Sequence, residues 1–483
     1  MEQSRRDLHQ AHNLMMQRVG LALLSGEPDA AESPMRRNTV AALSGLVIAI
    51  VLVGVAAIVG FLLPGGAKGL DKGDMVIIEK ESGTKYVYDT NSKKLLPVAN
   101  YASALLAVNK QGTKSRSVSR NSLTGFERGP MIGIPNAPDS LPDAKKLISG
   151  PWSVCVREAD PGNGVRRSMT TLAAGREVGG RTRGADEALP VRAGTESWIL
   201  WRDRRLKLPL PPAQISAITG GAPPVQVAPA WLNSIPSGTD FAAPQLPGQR
   251  GRAVRGPGGR PARVGQVYRA DTGGGVNWYV MLADGFAQIS ETQGRLLLSD
   301  PRTKAAYPGR LAEALPTDLP SATSMQSRTR LFSDGLPATM PKFTAWNPAE
   351  PLCAVYSGGK ETNAKLTIGG SLPPPSSTAL GAGSGGGAAV DQLVLPPGGA
   401  SLVRQAPGGA ANATGTGAVG SLSIINDQGM RFAIPSSEIA ANLGYDAGHA
   451  APVPASVLQL IPSGPALDPR AATMPVRNSS SGG

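Results

Sequence analysis

The chain has 483 residues, with 48 Lys and Arg against 35 Asp and Glu, and its formal net charge is +13. Its 60 glycines and 43 prolines argue against long helices in water, and they predict short strands, tight turns and long loops. The aromatic residues are 7 Phe, 8 Tyr and 6 Trp, without basic residues interleaved among them, which argues against nucleic acid as a partner.

The first predicted element is a cytoplasmic amphipathic helix over residues 5–24. Gly26 and Pro28 end its pattern. The apolar residues at near-helical spacing are Leu8, Met15, Val19, Ala22 and Leu23. Such a helix either lies on the bilayer or docks on a partner protein. Residues 1–37 hold five basic and five acidic side chains, which weakens the bilayer alternative.

The second predicted element is a membrane-spanning helix. Residues 40–63 are an apolar run of 24 residues, and no ionisable side chain lies between Arg37 and Lys68. A helix of that length spans about 36 Å, enough for a hydrocarbon core of about 30 Å. The alternative is a cleavable signal peptide, whose apolar region is shorter and closer to the chain start. We therefore expect a single-pass membrane protein.

Basic residues beside this helix predict its orientation. Arg36 and Arg37 abut its N-terminal end, whereas lysines alternate with aspartates after its C-terminal end. The arginine pair favours a cytoplasmic N-terminus, so residues 64–483 lie on the periplasmic or extracytoplasmic side of the inner membrane.

Small residues mark one predicted packing face of the helix. They recur at every fourth position, at Ala41, Gly45 and Ala49 and again at Ala56 and Gly60. In lipid, close approach of backbones at small residues drives helix association. The alternative is that these residues reflect only the usual composition of membrane helices.

The exported part exceeds the usual size of one core, so several small domains are expected. Its two cysteines, Cys155 and Cys353, lie in similar settings, "PWSVCV" and "PLCAVY", each a short apolar strand led by a proline. An even number of cysteines on an oxidising side predicts one disulfide. Two separately buried thiols are the alternative.

A short unit recurs along the exported part: an aromatic strand, a turn, a second strand and a small apolar helix. Copies begin at Thr84, Glu196, Val276 and Gly429, and the second and fourth lead to the same tetrapeptide, "IPSG", at 235–238 and 461–464. Four degenerate copies predict a modular array rather than one enzyme core.

Two segments have biased composition. The densest basic stretch carries Arg250, Arg252, Arg255, Arg260 and Arg263 among glycines and prolines, and we interpret it as a solvated, flexible loop. Residues 370–420 have Gly, Ala and Pro clusters with almost no charge, which is typical of a loop or linker.

The sequence offers little for catalysis. Lys360, in "SGGKET", is a weak nucleotide-binding candidate, because the spacing of a phosphate-binding loop is missing and Glu361 stands where a hydroxyl is needed. The histidines, His9, His12 and His449, lack the convergent ligands of a zinc site, and no nucleophile elbow accompanies His449. Asp284 is interpreted as a hairpin-turn residue. We therefore expect no metal, cofactor or catalytic residue.

The order of these features resembles the EccB family, the single-pass membrane component of type VII (ESX-type) secretion systems. The resemblance rests on the polar tail before one membrane helix, then "GPWSVC", "WYVMLADGFAQIS" and "LCAVYSG". It implies an elongated exported region with a disulfide-bonded central β domain and four repeat modules. It also implies assembly with the EccC ATPase, EccD and EccE. Some members of the family carry an ATPase assignment.

The predicted fold class is mixed α+β and rich in strands: an N-terminal amphipathic helix, one transmembrane helix, a disulfide-tied central β domain and four small α/β modules. The predicted domains are a cytoplasmic tail (1–37), a transmembrane helix (38–63), modules 1 to 4 (64–122, 191–250, 251–318 and 421–470), a central domain in two parts (123–190 and 319–369), a linker (370–420) and a flexible C-terminal tail (471–483).

The predicted function is that of a structural subunit of a type VII membrane core complex, with self-association in the exported domain. An ATP-hydrolysing component of the same system is one alternative, and a cell-wall-binding anchor is the other.

Overall fold

The computed structural model describes residues 5–25, 34–62, 67–162, 164–176, 178–357, 363–374, 389–406 and 420–476. They form two compact units: residues 1–70 with 118–125, and residues 71–117 with 126–483. The first unit contains two long helices, α1 (Arg5–Ser25) and α2 (Pro34–Leu62). The fold class is mixed α+β and rich in strands, as predicted.

Module 1 opens the second unit with an antiparallel meander followed by a helix. Its elements are β1 (Met75–Glu79), β2 (Lys85–Asp89), β3 (Lys94–Val98), α3 (Tyr101–Val108) and β4 (Lys114–Val118). Helix α3 begins where the Asn100 side chain accepts a hydrogen bond from the Ser103 amide at 2.9 Å. It ends at Asn109, whose φ of 48° is left-handed. The unit predicted from Thr84 is β2, β3 and α3.

The central domain comes next and consists of long buried strands. Its first part contains β5 (Trp152–Ala159), β6 (Arg167–Ala174) and the short β7 (Arg181–Thr182). Strands β5 and β6 pair antiparallel along their whole length. Apolar side chains fill both faces of β5, so the strand lies in the interior.

Module 2 repeats the plan of module 1. Its elements are β8 (Glu187–Ala193), β9 (Glu196–Trp201), β10 (Arg204–Lys207), α4 (Pro212–Ile218), β11 (Val225–Gln226) and α5 (Pro229–Ser234). Prolines at the first positions of α4 and α5 suit the start of a helix, where the backbone N–H has no intrahelical partner.

Module 3 carries an added hairpin before the same plan. Its elements are β12 (Ala253–Arg255), β13 (Pro261–Arg263), β14 (Val267–Thr272), β15 (Gly275–Leu282), β16 (Gly285–Ile289), α6 (Glu291–Ser299), β17 (Leu315–Thr317) and α7 (Leu319–Ser324). The prediction of a flexible basic loop was wrong for residues 253–263. Strands β12 and β13 pair antiparallel, with Val254 opposite Ala262, and this apolar pair packs on the module.

The chain then returns to the central domain. Strand β18 (Lys342–Phe343) pairs with β8 of module 2. The central sheet then gains β19 (Leu352–Tyr356), β20 (Lys365–Ile368) and β21 (Gln392–Val394), which join β5, β6 and β7. The resulting six-stranded sheet has the order β21-β6-β5-β19-β20-β7. A chain excursion through modules 2 and 3 therefore separates the two halves of one sheet.

Module 4 completes the second unit. Its elements are β22 (Ala400–Ala406), β23 (Leu422–Asn426), β24 (Arg431–Ile434), α8 (Ser437–Asn442), β25 (Ala451–Pro454), α9 (Ala455–Leu458) and α10 (Pro469–Ala472). The interval 370–420, predicted to be a linker, instead contains β21 and β22. Their apolar side chains are buried in cores shared with other strands, and this burial overrides the Gly- and Pro-rich composition.

All four modules share one topology. Across each sheet, the strands lie in the order third, second, first and fourth of the module. Along the chain, the helix lies between the third and fourth strands. A returning segment then bridges the third strand in parallel. One such bridge in each module pairs Leu95 with Arg128, Arg205 with Ser237, Phe286 with Gln326, and Arg431 with Ser463.

The "IPSG" tetrapeptides are the returning segments of modules 2 and 4. The Gly238 amide donates to the Arg205 carbonyl, and the Gly464 amide donates to the Arg431 carbonyl, each at 2.8 Å. A Cβ added at Gly464 would lie 2.4 Å from the Phe432 ring, so a glycine is needed there. The shared tetrapeptide is therefore a structural equivalence.

Shared cores join the modules of the second unit. Modules 1 and 4 share one core, the central sheet shares a second with modules 2 and 4, and Leu296 of α6 enters the core of module 2. Several predicted boundaries differ from these elements. Module 2 begins at 187 rather than 191, module 3 extends beyond 318, module 4 begins at 400 rather than 421, and α10 occupies the start of the predicted tail.

Candidate functional site

Helix α2, a candidate membrane span, is the clearest candidate functional element of the first unit. Within α2, residues Asn38–Ile58 have a mean hydropathy of 2.7, and none of this window is buried in the chain. A helix that is apolar all round suits a bilayer, because no polar face remains for water. Arg36 and Arg37 lie in its first turns, although their side chains are outside the described ones.

The small residues form an open stripe along this helix. Four of its small residues are exposed: Ala41, Gly45, Ala49 and Ala56. A Cβ added at Gly45 would meet nothing within 4 Å. Gly60 lies in the last turns of α2, beyond the residues whose exposure is described. Positions four apart drift by only about 40° around a helix, so the stripe can meet one partner helix.

The disulfide is the clearest candidate structural site of the second unit. Cys155 on β5 and Cys353 on β19 are direct partners in the antiparallel register, with a Cα–Cα distance of 4.0 Å. Both are fully buried, beside Ala173 and Val178. The predicted bond is thus present, and the alternative of two separately buried thiols is wrong. It joins the two halves of the central sheet.

Two buried contacts fix module 2 on the central domain. The Trp231 indole of α5 is fully buried, and its Nε1 donates to the Val154 carbonyl of β5 at 3.0 Å. The Tyr356 hydroxyl of β19 donates to the Ser234 carbonyl at the end of α5. Burial raises the pKa of Tyr356 above its usual value, so the hydroxyl stays protonated and keeps donating. Sequence reasoning missed this junction, because α5 is only six residues long.

An open cavity of about 450 Å³ has a lining that is more apolar than polar. Gln111 and Gly112 of module 1 and Ser437, Tyr445 and Asp446 of module 4 line it. Burial raises the pKa of Tyr445, whose hydroxyl donates to the Pro142 carbonyl at 2.9 Å. Such a tyrosine is a structural donor rather than a general base near neutral pH.

The other titratable candidates have structural roles. Asp284 lies in the turn between β15 and β16, as predicted, and accepts hydrogen bonds from the Ser327 hydroxyl at 2.7 Å and the Arg328 amide at 3.1 Å. These bonds lower its pKa, so it is a carboxylate at neutral pH. His449 is exposed, with Nδ1 2.9 Å from an Asp446 oxygen.

The weak nucleotide-binding candidate falls outside the part of the chain that the structure describes. Lys360 lies in 358–362, outside the described residues. Among the described residues, no group of three His, Cys, Asp or Glu side chains is arranged to hold a metal ion.

Comparison with known proteins decides the family. The family model described as "Type VII secretion system ESX-1, transport TM domain B" matches residues 1–477. The chain belongs to the EccB family. It is 27% identical over 458 residues to "ESX-2 secretion system ATPase EccB2" of Mycobacterium tuberculosis, covering 91% of this chain and 88% of the relative. It is 25% identical to "ESX-1 secretion system ATPase EccB1" of Mycolicibacterium smegmatis, covering 95% of this chain and 92% of the relative.

Solved structures share the EccB fold. A chain of an intact ESX-5 inner membrane complex matches with a TM-score of 0.61 and 22% identity, covering 100% of this chain and 97% of that chain. A chain of an EccB3 dimer from the ESX-3 core complex matches with a TM-score of 0.62 and 22% identity. That match covers 83% of this chain and 100% of the EccB3 chain. These likenesses show that the fold is shared.

Proposed function

We propose that this chain is a structural subunit of the membrane core complex of a type VII secretion system. One observation carries the proposal: the EccB family match runs from the N-terminal helix through the membrane helix and all four modules. The fold is also that of subunits of solved ESX membrane complexes. Its proposed partners are EccC, EccD, EccE and further copies of itself through the exported part.

The second unit supports a scaffold role by its construction. A buried disulfide joins the two halves of the central sheet, and modules 2 and 4 pack on this sheet through shared apolar cores. Burial of that kind favours one fixed arrangement of modules, because interiors are close-packed and tolerate little shift. A rigid array suits a subunit that positions other proteins on the far side of a membrane.

The proposed orientation follows from Arg36 and Arg37 at the start of α2. Alkaline phosphatase fused after residue 483 is expected to be active, because that enzyme needs the oxidising side of the membrane. The same enzyme fused before Arg36 is expected to be inactive. The assay is phosphatase activity in intact cells at equal fusion abundance, and the reverse pattern would refute the orientation.

Assembly through the stripe of small residues on α2 is the proposed membrane contact. Gly45→Leu adds bulk at the point of closest helix approach without reducing apolar character, so insertion is kept. Association is expected to weaken by about 1–2 kcal/mol, the size of a good helix contact in lipid. The measurement is recovery of EccC, EccD and EccE with the tagged chain. Val51→Leu, on another face, is the control, and equal recovery with both variants would contradict the contact.

ATP hydrolysis is the second candidate function, because the curated relatives are named ATPases. A chain that acts only as a scaffold hydrolyses no ATP. Purified full-length chain is expected to release no phosphate from Mg-ATP above a detergent blank. Lys360→Ala is the control: activity present in the native chain and absent in this variant would establish an ATPase instead.

A further inference from the structure

Module 3 differs from the other three modules by two insertions. One is the hairpin β12–β13, which precedes the first strand and has no counterpart among the described residues of modules 1, 2 and 4. The other is a longer connection between its helix and its fourth strand, residues 300–314. The corresponding connections are 109–113 in module 1, 219–224 in module 2 and 443–450 in module 4. Because three copies of the same fold close without them, the insertions are not required by the fold.

Buried polar contacts hold the two insertions together. Arg250 Nη1 lies 2.7 Å from Asp300 Oδ2, and both side chains are about nine-tenths buried. Burial raises the pKa of Asp300, but hydrogen bonds from Arg302 and Arg250 and the charge of Arg250 outweigh it and hold the pKa below its usual value. The Asp300 carboxylate therefore stays ionised at neutral pH, and the hairpin has a fixed base.

Further hydrogen bonds to backbone groups extend this base. Gln266 Nε2 donates to the Ala306 carbonyl at 3.1 Å, and the Val267 amide donates to the Tyr307 hydroxyl at 2.7 Å. Burial raises the pKa of Tyr307 to about 12, so its hydroxyl stays protonated near neutral pH. The Gly251 amide donates to the Val264 carbonyl at 2.8 Å and closes the foot of the hairpin.

The hairpin presents arginines to solvent. We call residues 252–263 the arginine hairpin. Arg252, Arg255 and Arg260 are exposed, and within the described part of the chain none of their guanidinium groups has a hydrogen bond or ion pair. The opposite face, with Val254 and Ala262, packs on module 3. The other exposed residues of the hairpin are the two turn glycines, Ala253 and Pro261, so its exposed charge is wholly cationic.

We propose that the arginine hairpin is a docking surface for an acidic segment of a partner protein. Guanidinium groups pair with carboxylates through two parallel hydrogen bonds, and three of them are held on one short rigid ribbon. A bilayer is a poorer fit, because Val254 packs on module 3 and no large apolar side chain of the hairpin is exposed to enter lipid. Nucleic acid is a poorer fit because no exposed aromatic side chain lies among the arginines to stack on bases.

The test measures binding of labelled decaglutamate to the full-length chain in detergent by fluorescence anisotropy. The triple variant Arg252→Gln, Arg255→Gln and Arg260→Gln is expected to bind about tenfold more weakly, as three exposed charge pairs together imply. Affinity should also fall as salt rises. The control triple, Lys80→Gln, Lys110→Gln and Arg192→Gln, removes the same charge from exposed sites in modules 1 and 2 and should change affinity less than twofold.

Three outcomes would overturn the proposal. Equal loss in both triple variants would mean that only net charge attracts the peptide. If the native chain does not bind decaglutamate, the arginine hairpin is not a docking surface for acidic segments. Co-sedimentation with anionic phospholipid vesicles that depends on the hairpin arginines, without decaglutamate binding, would assign the hairpin to lipid headgroups instead. Unchanged thermal unfolding of the exposed-site variants verifies that each one is folded.

Discussion

Trp231→Ala is expected to lower the free energy of unfolding of the second unit by about 4 kcal/mol. The indole is fully buried where α5 of module 2 meets β5 of the central sheet, and it belongs to the core that also includes module 4. Its removal leaves a cavity at the junction and deletes the hydrogen bond from Nε1 to the Val154 carbonyl. A rigid close-packed interior cannot collapse to fill a space of that size.

The measurement is urea unfolding of the full-length chain followed by far-ultraviolet circular dichroism. Phe332→Ala is the matched control, because this aromatic side chain is 47% exposed and its loss should cost less than about 1 kcal/mol. A Trp231→Ala variant no less stable than Phe332→Ala would show that α5 does not fix module 2 on the central sheet.

Loss of the Cys155–Cys353 bond is expected to lower stability by about 3 kcal/mol, somewhat less than the entropy of so long a closed loop predicts. The bond spans 198 positions of sequence, so it restricts a large part of the unfolded chain. The double variant Cys155→Ala and Cys353→Ala keeps the cross-strand register, because apolar neighbours on β5 and β19 still pair. Association with partners should therefore survive while the unfolding midpoint falls.

Non-reducing peptide mapping checks the bond in the native chain. One linked peptide pair and no alkylated cysteine is the expected pattern. Two thiols that react with an alkylating agent in the folded protein would refute it. In that case, the double variant should unfold like the native chain.

The sequence predicts those features that depend on local pattern. The apolar run at 40–63 matches most of α2, because the length and the lack of charge alone require a helix in lipid. The strands around Cys155 and Cys353 were recognised from short apolar runs of similar composition. The repeated unit from Thr84 corresponds to β2, β3 and α3, whose turn and helix cap are also local signals.

The missed features depend on long-range pairing. The first and fourth strands of modules 2 and 4 lie side by side in parallel, yet a long stretch of sequence separates them. Strand β11 has two residues and β21 has three, too few for any periodicity to be seen. Both strands are formed by pairing with a neighbouring strand, and that neighbour cannot be read from composition.

The arginine hairpin shows the same limit. Glycine and proline at its turn are typical of a loop, and Gly258 and Gly259 have the positive φ values that the turn requires. Pairing of Val254 with Ala262, and their packing on module 3, turns the flanking residues into strands. Burial of two small side chains therefore decides the structure of a segment whose composition favours disorder.

If this EccB chain works inside a membrane core complex, the composition of that complex should reveal it. Membranes would be extracted in mild detergent, the tagged chain isolated, and each co-purifying protein quantified by mass spectrometry together with the mass of the particle. We expect EccC, EccD and EccE family proteins in a fixed ratio to this chain within one large particle. Recovery of the chain alone, or only with copies of itself, from cells that express all four would contradict it.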